Sequence, residues 1–279
     1  MPVDPTRAVG AELQISDFSW DEDRVILYHL GLGAGLRPGQ DDLAYCYEPH
    51  LKVLPTFATV PLFPDVFAVG GVDGMDVSLA SALHGDHRLT LLRPLPPNGQ
   101  VVTKGRIEAI YDKGRHALVV VVLESEDGSG PLFVNRLSIL FKGEGGFGGD
   151  PGPARTPTPP AREPDVVVES QTTHQQALLY RLSGDKNPLH ADPGFAAFAG
   201  YDRPILHGLC SYGIACKAVV DSVLGGDTAR LGSLWARFSG VAYPGETMEV
   251  SIWEEDDGVS VHMIAQERSA PVLTGEWRW

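Results

Sequence analysis

The chain has 279 residues, 43% hydrophobic and 21% charged, with a formal net charge of −14 and three cysteines. Those values describe a soluble globular protein able to bury a sizeable core and long enough for two ordinary domains. They exclude a general nucleic-acid binder, which needs clustered Lys and Arg, but they allow a small anionic ligand held by a local basic patch. Cys46, Cys210 and Cys216 have no metal-like spacing and read as reduced, mostly buried thiols. No apolar run approaches the ~20 residues of a membrane span, so no membrane partner is expected. The N-terminal segment lacks the basic-then-apolar layout of a secretory signal, and the final Trp277-Arg278-Trp279 is no peroxisomal address. The expected location is the cytoplasm.

In chain order, Gly31-x-Gly33-x-Gly35 reads as a turn, because no strand precedes it and no βαβ unit follows to make a dinucleotide loop. Pro55-Thr56-Phe57 opens an apolar stretch predicted to be helical. His84, Asp86 and His87 are metal-ligand types, but two imidazoles three apart with no third site nearby read as surface or core histidines. Strands are predicted over 101–111, 117–124 and 132–142, with turns at Asp112-Lys113-Gly114 and Asp127-Gly128-Ser129. Residues 143–164 are rich in Gly and Pro without apolar periodicity and form a linker or long surface connection. They separate an N-terminal domain, 1–142, from a C-terminal domain, 165–279.

In the second half Asp192-Pro193 is an N-cap with proline at the first helical position, so a short helix is predicted over 194–199. Residues 206–223 are apolar enough for a helix buried nearly all round. Strands follow over 231–241, 247–253, 259–267 and 272–279, with a hairpin at Asp256-Asp257-Gly258. The halves read as diverged copies. Tyr28 to Gly33 lies on Tyr180 to Asp185, Pro55-Thr56-Phe57 near Pro204-Ile205-Leu206, and Pro97-Asn98-Gly99 on Pro244-Gly245-Glu246. Each half is a helical region followed by a strand meander, an α+β layout with one long helix wrapped by an antiparallel sheet.

The chemistry concentrates in Ser183-Gly184-Asp185-Lys186-Asn187-Pro188-Leu189-His190. Gly184 permits a sharp turn beside Asp185, and Pro188 fixes the chain between that carboxylate and the His190 imidazole. Taken alone, Asp185 and Asn187 could equally serve turn hydrogen bonds. The second element, Pro204-Ile205-Leu206-His207-Gly208, ends an extended segment and starts a helix whose unpaired N–H groups can stabilise a developing oxyanion. Gly208-Leu209-Cys210-Ser211-Tyr212-Gly213 does not form a nucleophile elbow.

Together these residues resemble the (R)-specific enoyl-CoA hydratase family, the MaoC-like dehydratases or hydratase 2. The family pattern of aromatic, apolar, small, then Gly-Asp-x-Asn-Pro-apolar-His is matched from Tyr180 to His190. Leu54-Pro55-Thr56-Phe57, Leu83-His84-Gly85 and the glycine run 145–149 are similar to the N-terminal half of the two-domain members. The resemblance implies a double hot-dog fold and reversible hydration of trans-2-enoyl-CoA to (3R)-3-hydroxyacyl-CoA, with no metal or redox cofactor. It implies that Asp185 and His190 hold and activate the water, Asn187 steadies them, and the Gly208 N–H receives the thioester oxygen. Leu206 and His207 are expected beside the substrate. In the repeat, Gly33 stands at the Asp185 position and Pro38 at that of His190, so one active site per chain is expected, the first half supplying substrate walls. Arg237 and Lys217 are the candidates for the CoA phosphates, ordinary surface ion pairs being the alternative for each. A hot-dog thioesterase and a non-catalytic acyl-CoA-binding or scaffold subunit are the competing functions, and a homodimer of such chains is compatible with the pattern.

Overall fold

The computed structural model describes residues 3–36, 42–62, 68–77, 81–153 and 158–279. Pro38, and with it the expected counterpart of His190, lies outside the described residues, as do residues 154–157 of the Gly/Pro-rich connection. Ten strands form one antiparallel sheet among the described residues. The first half contributes β1 (Ser16–Trp20), β2 (Ala82–Leu91), β3 (Gly99–Asp112), β4 (Ala117–Asp127) and β5 (Gly130–Phe141). The second contributes β6 (Val166–Gln171), β7 (Ser233–Phe238), β8 (Thr247–Glu255), β9 (Gly258–Ala265) and β10 (Ala270–Arg278). The spatial order is β1-β3-β4-β5-β2-β7-β10-β9-β8-β6. Read outward from the β2–β7 junction, both halves run in the same order, second strand, fifth, fourth, third, first. This is the double hot-dog arrangement.

Among the described residues the α-helices of five or more residues are α1 (Glu22–Gly31), α2 (Gln176–Tyr180), α3 (Pro193–Phe198) and α4 (Gly208–Ser222). Helix α4 is the wrapped helix of the second half. Eleven of its residues, from Leu209 to Val220, are buried, because its sequence offers apolar or small side chains on every face. The corresponding stretch of the first half is a 3-10 helix, Pro55–Leu62, all of whose residues are buried and which contains Pro61. Proline there has no N–H to donate, so a regular α-helix is not sustained across it. The two halves share one hydrophobic core, from Val25 and Phe57 to Val219 and Trp277. Gly31 of α1 lies against Tyr180 of α2: a Cβ at Gly31 would stand 3.1 Å from the Tyr180 Cα.

Two local features matter for the site. Strand β2 pairs on one side with β5 and on the other with β7, with a register shift between His84 and Asp86. The start of the connection, around Gly145–Gly149, is tied back to β3. The Gly146 and Gly148 N–H groups donate to Asp112 at 3.0 and 2.6 Å, and Gly114 N–H donates to it at 2.8 Å. Those donors hold the Asp112 carboxyl below its ordinary range.

Candidate active site

A cavity of about 380 Å³ opens where α4 begins, lined from the second half by Asp185, Asn187, His190, Leu206, Gly208, Tyr201 and Phe238. The first half lines it with Leu83 and His84 of β2 and Leu137 and Ile139 of β5. The loop that carries the acid and the imidazole is held from within. The Asn187 backbone N–H donates to Asp185 Oδ1 at 3.1 Å, and the Asn187 side-chain oxygen accepts from Leu189 N–H at 3.0 Å. This caps the single turn Pro188–His190. Gly184 has φ of 136°, a conformation that favours glycine and reverses the chain just before Asp185. Asp192 then caps α3, accepting from the Gly194 and Phe195 N–H groups at 2.7 and 3.2 Å.

His190 is oriented by the neighbouring extended segment. Its Nδ1 lies 2.9 Å from the Ile205 carbonyl, which can only accept, so Nδ1 carries the proton and Nε2 presents a lone pair. That Nε2 stands 4.0 Å from Asp185 Oδ2; the two side chains are 9% and 16% exposed. Burial pulls the His190 imidazole below its ordinary range, against the upward pull of the Asp185 charge and the Ile205 carbonyl. The ring is therefore a neutral base near pH 7.

Beneath it His207 stacks at 3.7 Å between ring centroids, and Tyr180 packs against His207 at 4.9 Å. His207 Nε2 reaches the Asp185 carbonyl at 3.3 Å, so it donates there. Its pKa lies well below the ordinary value, first because it is buried and then because His190 is beside it. His207 is thus a shelf under the acid–base pair, 1% exposed, and is not among the residues lining the cavity. Asp185, His190 and His207 bring ligand-type atoms within 4.8 Å of one another. The two imidazoles lie nearly parallel, however, so their in-plane lone pairs run side by side and do not converge on one point.

Across the cavity, α4 begins at Gly208. Its first turn closes with Cys210 and Ser211 N–H donating to the His207 carbonyl at 3.1 and 3.2 Å. The Gly208 and Leu209 N–H groups have no acceptor among the described residues, as expected for the first positions of a helix. A Cβ at Gly208 would stand 3.3 Å from the Phe238 ring, so glycine keeps this approach open. Leu206 is fixed by its N–H to the Ala242 carbonyl at 2.8 Å.

The structure does not bring the two proposed phosphate ligands to the cavity. Lys217 lies further along α4, paired with Asp42 at 2.6 Å and Asp221 at 2.8 Å, in a separate cleft. Arg237 is exposed on β7, one residue before the cavity-lining Phe238 and so on the opposite face of the strand. Conversely, sequence reasoning passed over His84. His87 is a core histidine as expected, but His84 reaches the cavity wall and packs on Phe238 at 4.9 Å. Asn135 Nδ2 donates to the Ala58 carbonyl at 3.0 Å, which leaves Asn135 Oδ1 to accept from His87 Nε2 at 2.9 Å. His87 Nδ1, 3.3 Å from His84 Nε2, must then be the acceptor, so the chain fixes both tautomers. Burial holds His84 well below its ordinary pKa and His87 at about 4. The Leu83-His84-Gly85 similarity was the one signal that singled out this segment.

Residues 155–275 match the model of the MaoC like domain, and residues 18–143 that of the MFE-2 hydratase 2 N-terminal domain. The chain is 43% identical over 280 residues to enoyl-CoA hydratase ChsH3 of Mycobacterium tuberculosis, covering 99% of this chain and 98% of that one. The chain belongs to the two-domain hydratase 2 family. A further family member, the probable enoyl-CoA hydratase 2 of Dictyostelium discoideum, is 37% identical, with 91% of this chain and 88% of that one covered. Among solved structures, the MaoC-like dehydratase of Phytophthora capsici superposes with a TM-score of 0.88 at 32% identity, over 99% of this chain and 98% of that one.

Proposed function

We propose that the chain is an (R)-specific 2-enoyl-CoA hydratase, a hydro-lyase that reversibly adds water to trans-2-enoyl-CoA in β-oxidation-type breakdown of fatty or bulkier acyl groups. The observation that carries it is the convergence of Asp185 Oδ2 and His190 Nε2, 4.0 Å apart, in one cavity with the first N–H groups of α4. A water hydrogen-bonded at ~2.8 Å to both atoms subtends roughly 90° between them, close to its own bond angle. It can donate one proton to each and turn its lone pairs toward the cavity.

Attack on C3 then needs a base for the water proton and a sink for charge on the thioester oxygen. His190, neutral and with Nε2 free, accepts the proton, and Asp185 holds the second hydrogen and stabilises the imidazolium that forms. The Gly208 N–H, at the positive end of α4, stabilises the enolate oxygen. Proton return to C2 completes the addition. The (3R) outcome rests on membership of a family whose matched relatives are named hydratases. The second half works as the catalytic domain and the first as the substrate wall, without a metal or redox cofactor. The expected location is the cytoplasm, although an Arabidopsis thaliana relative is named peroxisomal, and a homodimer of such chains is the expected assembly. Among the described residues no helix is long and apolar enough to cross a membrane.

The test follows loss of the enoyl-thioester absorbance with the wild type, Asp185→Asn and His190→Ala. Absorbance that falls with the wild type and holds steady with both variants supports the assignment, and equal rates in all three overturn it. Release of free CoA from the enoyl-CoA would mark a thioesterase instead.

A further inference from the structure

A serine inside a helix commonly returns its hydroxyl to the carbonyl one turn back. At the end of α4 Ser222 does so, its Oγ donating to the Ala218 carbonyl at 2.6 Å. Ser211, near the start of the same helix, does not. The acceptor it would use, the His207 carbonyl, already takes the N–H groups of Cys210 and Ser211 at 3.1 and 3.2 Å, which engages both of its lone pairs. The Ser211 hydroxyl has no hydrogen-bond partner among the described residues, although the residue is 1% exposed. A buried hydroxyl without a partner is destabilising, so its presence calls for a partner that arrives from outside the chain.

The surroundings show where that partner would sit. Both sequence neighbours of Ser211 turn into the core, Cys210 Sγ donating to the Gly31 carbonyl at 3.5 Å and the Tyr212 hydroxyl to the Leu234 carbonyl at 2.7 Å. Ser211 instead lines the active-site cavity, with Gly208 and Leu209 of its own helix and with Asp185 and His190. Residues three apart share a helix face and side chains lean toward the helix N-terminus, so the hydroxyl leans toward Gly208. The other two hydroxyls on the lining belong to Tyr201 and Ser239, which are half-buried and exposed and so meet water. Asp185 and His190 Nε2 offer acceptors to a ligand, and Ser211 adds a buried donor. No base is bonded to it, so it is not an activated nucleophile.

We propose that Ser211 is a further catalytic residue, whose hydroxyl donates to an oxygen in the reacting segment of the acyl thioester. The inference rests on the hydratase reading and adds a contact to it. Two oxygens have the required chemistry: the thioester oxygen, where negative charge develops, and the oxygen that becomes the 3-hydroxyl of the product.

The experiment compares the full-length wild type and Ser211→Ala in both directions, with trans-2-enoyl-CoA and with (3R)-3-hydroxyacyl-CoA. The hydroxyl has no partner in the chain to lose, and alanine is the better helix former, so the variant should keep its Tm within about 2 °C or raise it. Activity should nevertheless fall. Donation to the thioester oxygen lowers kcat about tenfold in both directions with KM little changed. Donation to the 3-hydroxyl lowers the hydration kcat about tenfold, but in dehydration it raises KM by that factor and leaves kcat unchanged. Ser211→Thr, which keeps a hydroxyl, should recover most of the loss in either case. Wild-type rates for Ser211→Ala in both directions would overturn the proposal, and so would a lowered Tm with Ser211→Thr no better than Ser211→Ala. Calorimetric binding of both thioesters separates this from the reading beneath it. If the wild type interconverts neither thioester, binding weakened by Ser211→Ala keeps the contact and sinks the hydratase reading, whereas equal binding sinks both.

Discussion

The two halves of the molecule carry the same strand order around one sheet, yet the proposed acid–base pair comes from the second. In the second half Gly184 turns the chain into Asp185, and α4 begins at a glycine that lines the cavity. In the first half Gly33, with φ of 90°, is the residue matched in sequence to Asp185, and the described residues 55–62 form a 3-10 helix, Pro55–Leu62. The comparison separates what the fold needs from what the chemistry needs. Sheet and core require both halves, because β2 and β7 are hydrogen-bonded neighbours and the hydrophobic cluster is shared. In the proposed mechanism the acid, the base and the oxyanion donor are needed once. The half without them still contributes His84, Leu83, Leu137 and Ile139 to the cavity wall.

The sharpest way to break that comparison is to remove the proposed chemistry from one half and to change a residue of the matched segment in the other. Asp185→Asn or His190→Ala should lower kcat/KM by about 10³-fold, whereas Tyr28→Phe should leave it within about threefold; comparable losses in steady-state assays would refute the division of labour. The wild-type pH profile belongs to the same test. Because burial lowers the His190 pKa, the neutral base persists below pH 6.5, and kcat/KM should fall only as the pH drops through that lowered value.

Next in size is the helix start. Gly208→Pro deletes one N–H while proline suits the first position of a helix, and His207, with ψ of 135°, already has the backbone a following proline demands. The variant should lose about 10²-fold in kcat with helix content retained by circular dichroism; full activity would remove Gly208 from the mechanism. A smaller effect is expected from the wall. His84→Ala should lower kcat/KM by about tenfold by withdrawing the support of Phe238, and His84→Gln, which can still donate to His87, should recover part of it. The least effect on activity should come from Asp112→Ala. It frees the Gly114, Gly146 and Gly148 N–H groups and should lower the Tm by about 3 °C while leaving the hydration rate unchanged.

Much of this was legible in the amino-acid order, for identifiable reasons. The meander strands were readable because Asp-Gly-type turns punctuate alternating apolar residues, and β8 and β9 meet across the Asp256-Asp257-Gly258 turn as expected. Helix α4 was readable from its apolar run. The acid–base loop was readable because proline and glycine fix its path locally, so sequence neighbours become spatial neighbours. What escaped depended on tertiary placement. Strand β2 was hidden because Gly85 and Asp86 interrupt its alternation. The choice for Arg237 stayed open because nothing local tells which face of β7 meets the cavity. For Lys217 the ion-pair alternative holds, with one partner, Asp42, from the other half. His207 was expected beside the substrate but lies one ring deeper, under His190.

The register shift in β2 has a consequence for how the wall is built. Side chains alternate across a strand, so positions 84 and 87, an odd number apart, would normally point to opposite sides of the sheet. One extra residue at Gly85 restores their common phase, and only then can His84 and His87 touch. Deleting that single glycine would return the strand to even counting. The two imidazoles would then stand two residues apart in a regular strand, still in phase and still able to face the wall together.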